Sequence, residues 1–339
     1  MQKNILFTYD YELYLGSKSG TVNNCLLKPA EKVLNAHNKY SAKAIFFVDI
    51  LFLWRLKNEQ PDGGSAKEEY QAIVSQLQNA VVDGHYIFPH IHPHWLDAKY
   101  LSETGEWDLS NYKLYRFSSL SAFEQERVFK ISIDLIREIT SPVCDEYLID
   151  AYRAGGWSIQ PFSEFKSHFL KYGIKYDFSV IAGKKIISDA HTFDFQDAPS
   201  KKIYSFEDDV CVENINGQFI EFTISSVVTS KLVRWCYFKL TSIKQRLGLN
   251  NVYGDGHVIQ LNVKEDIDVI NNNQHRWVAS LEGLNIITFI IFFKQIYKRS
   301  YFHFISHPKL LTPLEIIWLK ILLISLKVFK INTDFRKMG

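Results

Sequence analysis

Apolar positions follow two alternating periods along the first 180 residues. Short unbroken runs, "NILFTY" (4–9), "AIFFV" (44–48) and "HYIFPH" (85–90), suit strands buried on both faces. Between them, "KPAEKVLNAHNKY" (28–40), opened by proline, and "KEEYQAIVSQLQNAVV" (67–82) carry helical spacing. The pattern then repeats. "SAFEQERVFKISIDLIREIT" (121–140) has Ser121 and Glu124 as a capping box and stops at Pro142. "EYLIDAYR" (146–153) predicts a fourth strand, "PFSEFKSHFLKYG" a helix and "KYDFSV" (175–180) a fifth strand. "QFIEFTIS" (218–225) alternates as a sixth strand, and "YFHFISHP" (301–308) is the last. Helices are expected at "SKLVRWCYFKLTSIKQRLG" and "LNIITFIIFFKQIYKRS", and residues 96–118, polar and aromatic, predict a long loop over one face.

Seven strands alternating with helices predict a parallel α/β protein, either an open doubly wound sheet or a closed barrel. Asp10, Asp49, His90, Arg153 and His307 each fall at or just past the C-terminal end of a predicted strand. In a barrel that is the rim where active sites are built, so a barrel is favoured.

The tail differs. "LTPLEIIWLKILLISLKVFKI" opens with Thr312, Pro313 and Glu315, a capping box with proline at the first helical position. The helix is apolar around most of its circumference, yet Lys320, Ser325 and Lys327 interrupt it. It is marginal as a bilayer span, which needs about 20 mostly apolar residues. Two uses are expected for it, covering the core or docking on a membrane surface.

Composition narrows the class. A chain of 339 residues, 47% hydrophobic and 22% charged, can bury a large core. Its net charge of +2 gives no basic field for a nucleic-acid partner. Cys25, Cys144, Cys211 and Cys236 are scattered without C-x-x-C spacing, as buried thiols of a reducing compartment would be. "MQKNILFTYDYELYLG" is too short in apolar residues for a secretion signal, so a cytoplasmic protein is expected.

Candidate chemistry concentrates in four stretches. Asp10 and Glu12 stand two apart at a strand end, where both carboxylates can face one side and need a cation between them. "PHIHPHW" (89–95) sets His90, His92 and His94 at alternate positions, with Pro89 and Pro93 disfavouring a regular helix. Two of the three, with a carboxylate, would make a three-ligand site with an open position for water, the form of catalytic zinc sites. "YRAGGWS" (152–158) puts Arg153 before two glycines that allow close backbone approach and N–H groups for an oxyanion. "ISHPK" presents His307 at the last strand's end. Trp95, Trp107 and Trp157 are candidates for stacking on sugar rings or for packing.

In this order, "TYDYE", "GHYIFPHIHPHW", "YRAGGW" and "FISHP", the chain resembles the polysaccharide deacetylases, the family-4 carbohydrate esterases. "AIFFVD" is also similar to that family's second strand, and the resemblance runs from residue 4 to about 310. It implies a distorted seven-stranded (β/α) barrel over 1–310, with an insertion within 181–300 shaping the acceptor site, followed by a C-terminal helix and tail over 311–339. It also implies Asp10 as catalytic base, Glu12, His90 and His94 as ligands of one divalent metal ion, zinc being the expected one, Arg153 orienting the base, and His307 as catalytic acid. His92 gets no ligand role. The chain departs from the family in having D-Y-E where many members have adjacent aspartates, and Asp177 in "YDFS" stays unassigned. The implied activity is removal of N-acetyl groups from an amino sugar of a bacterial surface polysaccharide or a lipid-linked precursor, in lipopolysaccharide or capsule biosynthesis. The carbohydrate is the expected partner, with peripheral contact at the inner face of the membrane through the C-terminal helix. Two rivals stand beside it: a glycoside hydrolase on a related barrel, which needs two carboxylates rather than a metal-bound water, and a sugar-binding relic without turnover.

Overall fold

The computed structural model describes residues 2–338 apart from 60–64, 102, 105, 112 and 269–273. Its main sheet contains β1 (Asn4–Tyr11), β2 (Ile45–Asp49), β3 (Tyr86–Ile91), β4 (Ala151–Ala154), β5 (Tyr176–Asp177), β6 (Ile203–Phe206), β7 (Phe219–Phe222) and β8 (Tyr301–Ser306). The spatial order is β6-β7-β5-β4-β3-β2-β1-β8, parallel throughout except for the antiparallel β6–β7 pair. Each of the seven expected strands has a counterpart here, but the sheet has eight members. The addition, β6, is only four residues long, too short for its alternation to stand out from the surrounding polar sequence.

The sheet curls toward closure. Residues 223–225 run on from β7 to β8, where Ser225 N–H donates to the His303 carbonyl (3.2 Å) and the Tyr301 hydroxyl donates to the Thr223 carbonyl (3.2 Å). The two ends of the curl thus meet through isolated bonds rather than a ladder, which makes a barrel-like α/β sheet with an irregular seam.

Strand alternation explains where the chemistry lies. Successive side chains point to opposite faces. On the inward face Leu6, Ile45, Phe47, Phe88 and Ala151 form an apolar floor with Phe178, Phe222 and Phe335. Two residues further along the same strands stand Thr8 and Asp10, Asp49, His90 and Arg153, all buried. One face of one sheet is therefore apolar at the N-terminal end and ionic at the C-terminal rim. The outward face, Ile5, Phe7 and Tyr9 among others, packs under the helices. Truncating a buried phenylalanine of the floor such as Phe47 would cost about 3–5 kcal/mol.

The helical layer comprises α1 (Lys28–Tyr40), α2 (Ile50–Asn58), α3 (Ser65–Val82), α4 (Ala122–Thr140), α5 (Ser163–Tyr172), α6 (Lys231–Arg246), α7 (Ile286–Lys298) and α8 (Pro313–Val328). The capping boxes at Ser121/Glu124 and Thr312/Glu315 both form. Helix α2 was not foreseen, because "ILFLWRLKN" follows β2 directly and reads as more of the same apolar run. The loop expected over 96–118 contains a small antiparallel pair, Lys99–Leu101 with Glu106–Asp108, whose Trp107 is buried. Within 181–300, Lys184–Ser188, Thr192–Asp194 and Val263–Asp268 form a three-stranded sheet, and Ser226–Ser230 pairs with Gln274–Val278. Helix α8 buries Ile316, Leu319, Leu322, Leu323 and Leu326 and lies against α1, while Ile317, Ile321 and Ile324 stay exposed. Among the described residues no helix is long and apolar enough to cross a membrane.

Candidate active site

The rim opens into a cleft of about 230 Å³ that gathers Asp10, Glu12, His90, His92, His307 and Lys309. Arg153 lies beneath it, fully buried, and every acceptor it needs is supplied by the barrel interior. Its Nε donates to the Phe178 carbonyl (3.0 Å), Nη1 to Asp10 Oδ1 (2.5 Å) and Nη2 to Thr8 Oγ1 (2.7 Å). The guanidinium also lies over the Phe47 ring, 4.2 Å from its centroid. Burial pushes the Asp10 carboxyl up, but Arg153, with His90 and His307, outweighs it and holds Asp10 below the usual carboxylate range. Asp10 is thus an ionised base with one oxygen clamped.

Three donor atoms converge beside it. His92 Nε2 lies 2.8 Å from Glu12 Oε2 and 3.0 Å from His90 Nε2, and His90 Nε2 lies 3.5 Å from the same carboxylate oxygen. His90 Nδ1 is 2.8 Å from the Arg153 carbonyl, which can only accept, so Nδ1 carries the proton and Nε2 turns its lone pair inward. Glu12 is fixed from behind. Lys309 Nζ donates to its Oε1 (3.0 Å) and to the Leu13 carbonyl (2.7 Å), leaving Oε2 to face the imidazoles. Burial raises the Glu12 carboxyl, yet Lys309 and His92 override it and keep it well below the ordinary value. Burial works against a charge on His92, but the field of Glu12, Asp49 and Asp10 prevails, so the spot attracts positive charge. Two imidazole nitrogens and one carboxylate oxygen within 4.8 Å of one another fit a divalent cation, and the donor chemistry suits zinc.

The histidine pairing departs from expectation. His94, not His92, is the expected partner of His90, but the structure brings together Glu12, His90 and His92. His92 is still extended (φ −114°, ψ 95°), so it shares the face of His90 two residues back. Pro93 then starts a 3-10 turn over Pro93–Asp97 that swings His94 onto Tyr115, with ring centroids 5.3 Å apart and 5° between the planes. Burial and the neighbouring His92 keep the His94 imidazole neutral.

On the opposite wall His307 Nδ1 lies 2.8 Å from Glu282 Oε1, which also accepts from the His307 backbone N–H at 2.6 Å. His307 Nε2 is 3.7 Å from Asp10 and 3.4 Å from Glu12. Burial lowers the imidazole's proton affinity, but Glu282, Glu12 and Asp10 more than compensate and raise its pKa to about 9. His307 is therefore a charged proton donor at neutral pH.

Neither glycine of the Arg153 stretch tolerates a side chain, and Gly156 lines the cleft. A Cβ at Gly155 would sit 2.5 Å from the Ile91 carbonyl and 2.9 Å from His92 Nδ1. Gly156 is left-handed (φ +57°), and its Cβ would strike His191 and Tyr115. Of the three tryptophans, only Trp157 borders the cleft, while Trp95 and Trp107 are buried. Asp49 is sequestered, accepting from the Trp95 indole, and burial raises its carboxyl to about 7. Val258, Ile259 and Leu261, from within the 181–300 stretch, form an apolar wall. Sequence reasoning missed Lys309 and Glu282. The first carries a weak signal as the lysine of "ISHPK", two residues past His307; the second has none, since it comes from a loop remote in sequence.

No family model matches the chain, and no curated protein does. Among solved structures, a Mycobacterium smegmatis protein described as a "putative polysaccharide deacetylase" superposes with TM-score 0.52 at 11% identity, covering 99% of this chain and 88% of that one. A 4-alpha-glucanotransferase from Thermococcus litoralis gives TM-score 0.46 at 12% identity over 98% of this chain and 39% of its own; that level carries no argument. The first likeness shows a shared fold and nothing finer.

Proposed function

We propose that this chain is a metal-dependent hydrolase that removes the acetyl group from an N-acetylated amino sugar of a bacterial surface polysaccharide or its precursor. One observation carries the reading: the Glu12, His90 and His92 donors converge between an ionised carboxylate, Asp10, and a charged imidazole, His307. A deacetylase-like fold is in keeping with it.

A divalent cation held by Glu12, His90 and His92 would supply Lewis-acid polarisation of the amide carbonyl and a more acidic water. Asp10, aimed by Arg153, takes the proton of the attacking water through its unclamped Oδ2. His307 gives its proton to the departing amine nitrogen, and Glu282 holds the resulting imidazole in place. Lys309 fixes Glu12, and the apolar wall of Val258, Ile259 and Leu261 limits water in the cleft. Trp157 offers an aromatic surface to a sugar ring.

The glycosidase alternative draws no support from the cleft. Its lining carboxyls, Asp10 and Glu12, are both held ionised, so neither serves as the general acid that glycoside cleavage requires. The deciding experiment incubates the zinc-loaded chain with N-acetylated oligosaccharides and measures acetate and reducing ends. Acetate release supports the reading; reducing ends alone, or tight sugar binding without either product, overturns it.

A cytoplasmic site of action at the inner membrane face belongs to the same proposal. Its support is the outer stripe of α8, Ile317, Ile321 and Ile324 with Lys320 and Lys327. Ile317→Ser/Ile321→Ser should leave the fold intact and weaken binding to anionic vesicles, as sedimentation would show; unchanged binding removes this part of the proposal.

A further inference from the structure

A second cleft, about 560 Å³, lies between the start of β6, the run from β7 into Ser226–Ser230, and the α7–β8 corner. Lys201, Lys202, Arg276 and Arg299 all line it, and no Asp or Glu among the described residues does. Two of the cations are half-buried and held in place by neutral groups. Arg299 Nε donates to Gln295 Oε1 (3.0 Å) and its Nη1 to the Ser226 carbonyl (3.3 Å). Lys202 Nζ donates to Ser300 Oγ (3.1 Å). Arg276 Nη1 donates to Ser226 Oγ (2.8 Å), so two guanidinium groups meet at one serine. Lys201 turns outward to pair with Glu213.

Gathering like charges in a partly buried cleft is unfavourable unless an anion completes it. The strain shows on Lys202, whose proton affinity is lowered by burial and by Arg299, and on Arg299, lowered by burial. Between them Lys202 and Arg299 keep several N–H donors uncommitted, in the point-charge and planar forms that grip tetrahedral oxyanions. The flanking Ser225, Ser226 and Thr223 add small polar groups and leave room for a ligand.

We propose that this cleft binds a phosphoryl group, held by Lys202 and Arg299, from either a soluble phosphate ester or a phospholipid headgroup. None of its lining residues lines the catalytic cleft, so the inference stands independently of the deacetylase reading. The test uses the full chain with inorganic phosphate and pyrophosphate in calorimetry, and with phosphatidylcholine vesicles containing or lacking phosphatidic acid in co-sedimentation. Saturable binding is expected, weakened on the order of tenfold or more by Lys202→Gln or Arg299→Gln, since each removes charge-assisted hydrogen bonds. Lys202→Arg should retain it, which separates a lost charge from a damaged fold. Binding of the soluble anions without vesicle selectivity supports a phosphate ester; selectivity for phosphatidic acid, lost in the Lys202→Gln/Arg299→Gln variant, supports a headgroup. The proposal is overturned if neither probe binds saturably, or if that double variant, melting like the parent, binds as the parent does.

Discussion

Two pairs of acids in this barrel meet opposite fates. At the rim, Asp10 and Glu12 are drawn below the ordinary carboxylate range, although Asp10 is buried and Glu12 largely covered. Deeper, Asp177 on β5 and Glu221 on β7 stand directly opposite each other in register, and both are raised, by burial first and, for Glu221, by the neighbouring Asp177. Residue types match, and Asp10 is as deeply buried as the lower pair, so neither type nor burial decides its outcome. The cations do. Arg153 Nη1 and Lys309 Nζ each donate to a rim carboxylate, whereas the deep pair is met by Ser179 and the Val180 backbone N–H, which donate hydrogen bonds without a charge. The rim thus holds negative charge, and the deep pair favours its protonated form.

The hardest test of this contrast removes the cation's seat. His90→Ala or His92→Ala should abolish stoichiometric zinc binding and amide hydrolysis, as elemental analysis and acetate release would report, while His94→Ala should retain the metal. A metal-free His94→Ala protein with a fully loaded His92→Ala protein would reverse the ligand assignment. Next in size is Asp10→Asn, which removes the base and leaves Arg153 buried against a neutral amide. Acetate release should fall about 10²–10⁴-fold. Denaturant melts should show a loss of roughly 3–5 kcal/mol from the uncompensated guanidinium. Near-normal turnover with normal zinc content would refute the assignment of Asp10 as the base.

How much of this was legible in the sequence follows from the range of the forces. Strand positions and the rim location of Asp10, His90, Arg153 and His307 follow from local apolar periodicity, which acts within a few residues. The choice between His92 and His94 was not legible, because it turns on whether the strand persists one residue beyond Ile91 before Pro93 breaks it. Glu282 and the apolar wall at 258–261 reach the cleft from a long stretch whose path depends on tertiary packing, so no nearby pattern announced them. The Asp177–Glu221 pair escaped for the same reason, since it exists only through β5–β7 register.

A smaller effect is expected from Glu282→Gln. The carboxylate of Glu282 is the foremost group raising His307 against burial. With a pKa raised to about 9, the protonated acid persists through neutral pH and is lost as pH rises through that value. The stability contribution has the same sign, present in full below the unfolded histidine value near 6.5 and lost on passing about 9. In the glutamine variant the alkaline limb of the pH–rate profile should move down toward the ordinary histidine range, with turnover at slightly acidic pH largely kept. An unmoved alkaline limb would show that His307 is not the group that titrates there.

The smallest effect should come from Glu221→Gln, and its smallness is the point. Because Asp177 and Glu221 are both raised in the folded chain, folding takes up a proton that the unfolded chain releases. Their contribution to stability is complete below the unfolded carboxylate range near 4 and declines as pH climbs toward the folded values. A glutamine at 221 stays neutral at every pH, so it keeps the uncharged form without needing acid to hold it there. The variant should therefore melt within about 1 kcal/mol of the parent near neutrality and lose less stability as pH rises above the ordinary carboxylate range. Asp10→Asn, an equally conservative change in an equally buried acid, should do the reverse. If Glu221→Gln proved as destabilising as Asp10→Asn, the deep carboxyl would also be answering a cation, with Arg153 the nearest candidate, and the division between a charged rim and a protonated floor would fail.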